Sequence, residues 1–168
     1  KKETKNWFFE LRNILCDFIE SVEENFGNNK TKFQKKSWER VRESDLDTGG
    51  GEMSVLRGEI FEKAGVNIST VYGKLSEELM GKIPGTEKNN KFWASGISLV
   101  IHPKSPLIPA VHMNTRFIVT DKCWFGGGAD ITPTNKKSPQ SIELANIFHK
   151  NFKKTCENYK KNSYKEYK

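Results

Sequence analysis

The fold turns on residues 91–133, KFWASGISLVIHPKSPLIPAVHMNTRFIVTDKCWFGGGADITP. At strand period, Ile97, Leu99 and Ile101 alternate with Ser98, Val100 and His102. Further on, Val111, Met113, Thr115, Phe117 and Val119 alternate with His112, Asn114, Arg116 and Ile118. Side chains along a strand point to opposite faces, so each segment offers one core face and one face bearing polar groups. The link from Pro103 to Pro109 continues neither strand, which predicts an antiparallel pair across a loop. A third strand-like segment, Cys123 to Ile131, follows the short turn Thr120-Asp121-Lys122.

Taken singly, a strand His or Arg is an ordinary solvated side chain. Ser98, His102, His112, Asn114 and Arg116 together, with aromatics around them and Gly126-Gly127-Gly128 leading to Asp130, predict a polar-floored cavity. A glycine triplet within a strand costs backbone entropy and points to close approach by a ligand or another backbone.

These same words resemble the oxygen-dependent coproporphyrinogen III oxidase family. FWASGISLVIHP at 92–103, VHMNTRF at 111–117 and WFGGGADITP at 124–133 are similar to successive blocks of that family. So are GGG at Gly49 to Gly51 and VLRGEIFEKAGVNISTVYG at 55–73, in the same order and spacing. Trp38 and Arg40 are shared as well, and the likeness runs from about Trp38 to His149.

The resemblance implies oxidative decarboxylation of coproporphyrinogen III to protoporphyrinogen IX, two propionates becoming vinyls with release of CO2 and H2O2. It implies molecular oxygen as co-substrate and no required cofactor. Asp130 would face pyrrole N–H groups as base or charge stabiliser, and His112 would be the acid or proton shuttle. Arg116 suits a propionate, because its planar fork makes two parallel bonds to a carboxylate. Ser98, Asn114, Thr115, Gly127 and Gly128 complete the substrate-binding set that the resemblance implies. Some bacterial members are credited with a divalent metal at histidines matching His102, His112 and His149, although no carboxylate-rich ligand set in this sequence supports that independently. The family also implies a homodimer and a further stretch after the Lys-rich helix. Either the chain is part of a longer protein or it is a truncated product, in which case the alternative is a noncatalytic basic domain binding a porphyrin-like anion or a protein partner.

The bulk properties fit one soluble domain spanning 1–168. No run approaches a membrane span, and the mean hydropathy is −0.69. Cys16, Cys123 and Cys156 are widely spaced and odd in number, which argues against a disulfide framework or zinc site and for a reducing, cytoplasmic setting. The net charge of +7 gathers in lysines such as Lys150, Lys153, Lys154, Lys160 and Lys161. No nucleic-acid module accompanies them, so nucleic acid is not an expected partner.

Around the central stretch, Trp7, Leu11, Ile14, Leu15, Phe18, Ile19 and Val22 keep helical spacing and predict an N-terminal helix with an aromatic core stripe. Thr4 or Asn6 are candidate caps, and Gly27 ends the helix. Residues 33–42 read as extended, 49–51 as a Gly-rich turn, and 52–73 as short strands broken by Gly58 and Gly65. Without GK[ST] or a strand-to-helix context, the glycines are not a nucleotide loop. Residues 75–83 suggest a short helix before Pro84-Gly85. Ser138-Pro139 opens a long amphipathic helix through Ile142, Ala145, Phe148, Phe152, Cys156 and Tyr159, with His149 beside its apolar stripe. The fold class that follows is α+β, an antiparallel β-sheet flanked by helices on both faces.

Overall fold

The computed structural model describes residues 1–28, 30–40 and 48–168. Its centre is an antiparallel sheet of six strands in chain order. The strands are β1 (Gln34–Glu39), β2 (Thr48–Leu56), β3 (Phe61–Lys74), β4 (Lys91–Pro103), β5 (Ala110–Val119) and β6 (Cys123–Thr132). A helix, α1 (Lys2–Phe26), precedes them, and α2 (Pro139–Tyr159) and α3 (Ser163–Tyr167) follow. This is the α+β architecture the alternating segments predict. Among the described residues, no helix is long and apolar enough to cross a membrane.

The pairing of β4 with β5 sets the sheet. Ile97 lies opposite Thr115 and Leu99 opposite Met113, while Ser98 lies opposite Asn114 and Val100 opposite His112. Cross-strand partners share a face, so one register separates the apolar and polar sets along both strands. The apolar face packs under α1: Ile97 and Leu99 join Leu56, Ala64, Val66, Phe8, Cys16 and Ile19 in the core. A slip of one residue would exchange the two sets, and burial of Ile97 and Leu99 opposes it.

The face that α1 buries differs from the expected stripe. Phe8, Arg12, Cys16, Ile19 and Glu23 are buried, whereas Trp7, Ile14 and Phe18 stay exposed. Two charged residues set this rotation. Arg12 donates to the Glu52 carboxylate and, at 3.1 Å, to the Ser54 hydroxyl. The fully buried Glu23 carboxylate accepts the backbone N–H groups of Glu59 (2.9 Å), Ile60 (3.0 Å) and Phe61 (2.8 Å). Turning α1 to bury its larger apolar residues would strand these partners, and an unpaired buried charge is costly. Lys1, not Thr4 or Asn6, is the N-cap, while Gly27 ends the helix as expected.

Elsewhere, strands run longer than the glycines suggest. Gly49 to Gly51 lie inside β2, paired with Trp38 to Glu39 on one side and Ser69 to Val71 on the other, rather than in a turn. Gly65 sits within β3; only Gly58 interrupts, where a Cβ would come 2.2 Å from Glu23 Cδ. The expected extended segment begins as β1, and its end at 41–42 lies outside the described residues. In place of a helix over 75–83 there is one 3-10 turn, Glu77–Leu79. Buried Thr86 closes that loop by accepting from Gly81 N–H and donating to the Ile83 carbonyl. For α2, Ser138 caps as predicted, its hydroxyl accepting from Ser141 N–H at 3.2 Å. Phe148 and Phe152 stack at 5.7 Å, with Tyr164 of α3 against Phe152, while Ile142 and Tyr159 remain exposed.

Candidate active site on the polar sheet face

The sheet face turned away from α1 carries the polar residues in cross-strand rows. One row reads Asn67, Ser98, Asn114, Gly128; the next reads Gly65, Val100, His112, Asp130. A third runs Trp38, Gly51, Ser69, Gly96, Arg116, Gly126. Strand spacing is roughly 4.8 Å and rows two residues apart are separated by roughly 7 Å, so the groups tile one continuous surface. A cavity of about 260 Å³ opens on it, lined by Trp38, Asn67, Ser69, Gly96, Ser98 and Arg116 among others. Gly126 and Gly128 would point a Cβ into open space, so their backbone is uncovered beside Arg116 and Asn114.

Two features give this face its chemistry. His112 Nδ1 lies 2.9 Å from Asp130 Oδ1 across the β5–β6 ladder, and Thr132 Oγ1 donates to the same oxygen at 3.2 Å. With Nδ1 engaged by the carboxylate, Nε2 is the nitrogen left for proton exchange. His102 approaches from β4, its ring centroid 6.0 Å from that of His112 and nearly perpendicular to it. The second feature is Arg116, exposed and without an ion pair among the described residues. Four residues of extended strand separate it from His112, roughly 13 Å. A free guanidinium at one end and a proton-exchanging pair at the other suit an extended anion that undergoes acid–base chemistry.

The remaining expected site residues do not all gather here. Ser98, Asn114, Arg116 and Gly128 share the face with His112 and Asp130, but Thr115 pairs with Gly127 in a row on the α1 side. Thr115 borders the cavity without sharing its row, and a Cβ on Gly127 would sit 2.3 Å from the Asn114 carbonyl oxygen. These two are therefore placed to shape the strand pairing. His149, on α2, accepts from or donates to Tyr164 Oη at 2.9 Å and packs against Phe148. It does not join His102 and His112. Among the described residues, no three His, Cys, Asp or Glu side chains are grouped to hold a metal ion.

A family model described as coproporphyrinogen III oxidase matches residues 3–168. The chain belongs to the coproporphyrinogen III oxidase family. It is 46% identical over its whole length to the oxygen-dependent coproporphyrinogen-III oxidase of Rickettsia africae, covering 58% of that protein. The same-named proteins of Rickettsia felis and Rickettsia bellii are each 48% identical, over 98% and 100% of this chain and 57% and 58% of theirs. The chain thus spans somewhat over half the length of the curated relatives it matches.

Three contributors to the face escape sequence reading. Asn67 and Ser69 join through the register of β3 with β4, and the Asn-x-Ser alternation in residues 67–69 is the signal that could have found them. Thr132, two residues beyond Asp130 on the same strand face, is the third.

Proposed function

We propose that this chain supplies the substrate face for oxygen-dependent oxidative decarboxylation of coproporphyrinogen III to protoporphyrinogen IX. The observation that carries the reading is the pairing of His112 with Asp130 on the same open face as Arg116, which has no ion pair among the described residues. Coproporphyrinogen carries propionates on electron-rich pyrroles. Arg116 holds a propionate through its two-pronged donor set, with Asn114 and Ser98 adding neutral hydrogen bonds. Asp130 accepts pyrrole N–H bonds and stabilises positive charge as electrons leave the ring; His112 moves the proton.

The balance for each vinyl is simple. One propionate, one O2 and one proton give one vinyl, one CO2 and one H2O2. The C–COO− bond breaks and its electron pair forms the vinyl double bond, while the carbon next to the pyrrole gives up a hydrogen with both electrons of its C–H bond. Oxygen takes up two electrons and two protons. The two electrons come from that C–H bond, released with the help of the electron-rich pyrrole, so the reading asks for molecular oxygen as co-substrate and no resident redox cofactor. A cytoplasmic homodimer belongs to the same reading, supported by family membership.

Aerobic incubation of this chain with coproporphyrinogen III, followed by chromatography with fluorescence detection, tests the proposal. Oxygen-dependent appearance of the divinyl product supports it. Tight binding with no product instead supports a noncatalytic domain that holds a porphyrin-like anion.

A further inference from the structure

We infer that Trp38 is the surface on which a pyrrole ring stacks while Arg116 holds that ring's carboxylate-ended side chain. The inference rests on the reading proposed above and names the residue that positions the ring. Trp38 and Arg116 are both walls of the 260 Å³ cavity. They stand in one cross-strand row, with Gly51, Ser69 and Gly96 between them. Four strand spacings put their backbones roughly 19 Å apart, and the two long side chains narrow that span from both ends.

Both glycines leave room for these side chains, besides admitting the neighbouring backbone. A Cβ on Gly51 would lie 2.9 Å from Trp38 Cζ2, so the indole rests against the Gly51 backbone. A Cβ on Gly96 would lie 2.8 Å from Arg116 Cβ. Nothing taller than Ser69 therefore rises between the indole and the guanidinium. A flat apolar ring at one wall and a cation without an ion pair among the described residues at the other match a planar heteroaromatic with an anionic arm. Aromatic faces prefer offset stacking, and Trp offers the largest face of any side chain. Trp124 lies on the same sheet face, one row further along β6, but does not line this cavity. It is the natural comparator.

Coproporphyrin III, a stable tetrapyrrole with the same propionates, serves as the probe, and its affinity is read from its own fluorescence. Trp38→Leu is expected to weaken binding about tenfold, Trp38→Phe to stay within about threefold, and Trp124→Leu to leave affinity unchanged. The bound porphyrin should also quench tryptophan emission in the wild type by more than in Trp38→Phe, a readout that a packing role for Trp38 would not move and that does not depend on Trp38→Leu folding. Wild-type affinity in Trp38→Leu, alongside weakened binding in Arg116→Lys, would overturn the role of Trp38 and leave the functional reading standing. Weakening by Trp124→Leu alone would place the ring elsewhere and overturn it too. Absence of binding by the wild type would overturn the functional reading and this inference with it.

Discussion

His112 Nδ1 and Asp130 Oδ1 lie 2.9 Å apart as directly opposed residues of β5 and β6. The ladder, not a loop, holds this pair, so its geometry is as rigid as the sheet. Roughly 13 Å along β5, on the same face, Arg116 stands without a carboxylate partner among the described residues. The proposed function assigns proton movement to this pair and carboxylate binding to Arg116, both on one rigid surface.

Arg116→Lys keeps the charge and loses the two-pronged geometry. The expected result is a rise in KM for coproporphyrinogen III of about tenfold or more, with kcat less affected. Steady-state kinetics over a range of substrate concentrations check this. Equal loss in kcat and kcat/KM would mean that Arg116 acts only in the transition state.

Glu23 ties α1 to the β2–β3 link through three backbone N–H groups, and it is fully buried. Glu23→Ala leaves those donors unpaired and is expected to cost about 3 kcal/mol or more of stability. Gly58→Ala, which would drive a Cβ to 2.2 Å from Glu23 Cδ, should destabilise in the same direction. Chemical denaturation of both variants against the wild type measures the effect.

Glu20 gives a pH signature. Burial pushes its carboxyl upward, but hydrogen bonds from Lys32 Nζ and Phe33 N–H outweigh this and hold it below its ordinary 4.5. A carboxyl lowered in the folded state stabilises the fold above 4.5, and that contribution is lost as pH falls through the folded value. The stability gap between wild type and Glu20→Gln should be constant from neutral pH to about 5 and close below 4.5. Melting curves across that range decide it; a gap unchanged at low pH would mean that charge is not what Glu20 contributes.

The cysteines should separate by reactivity. Burial raises the Cys16 thiol to about 11, while Cys123 is exposed on β6. A thiol reagent at neutral pH should modify Cys123 rapidly and Cys16 only after unfolding, because the thiolate is the reactive form. Mass mapping of modified peptides with and without denaturant reads this directly.

The sheet, and the face its polar residues share, were legible in the sequence for a physical reason. Period-two alternation in 97–102 and 111–119 assigns faces before any pairing is known, and the Pro-rich link fixes the partner. What the sequence hid are effects of register and of buried charge. Thr115 and Gly127 belong to family motifs, yet the register turns them to the α1 face. Trp7, Ile14 and Phe18 read as core, but Arg12 and Glu23 find partners only if α1 presents another face. Gly49 to Gly51 read as a turn because glycine signals turns locally. Here their missing side chains admit Trp38 and the close approach of β3. His149 lies correctly beside an apolar stripe, but the partner it meets, Tyr164, is on a helix that spacing did not announce.

The most direct measurement is aerobic turnover of coproporphyrinogen III by wild type and by Asp130→Asn, side by side. The account predicts oxygen-dependent formation of the divinyl product by the wild type and a fall of about 10²-fold or more in the variant, with stability unchanged to within about 0.5 kcal/mol, because Asp130 is exposed and its loss strands no buried group. Equal turnover by the two proteins would contradict it, since the His112–Asp130 pair would then have no part in the chemistry.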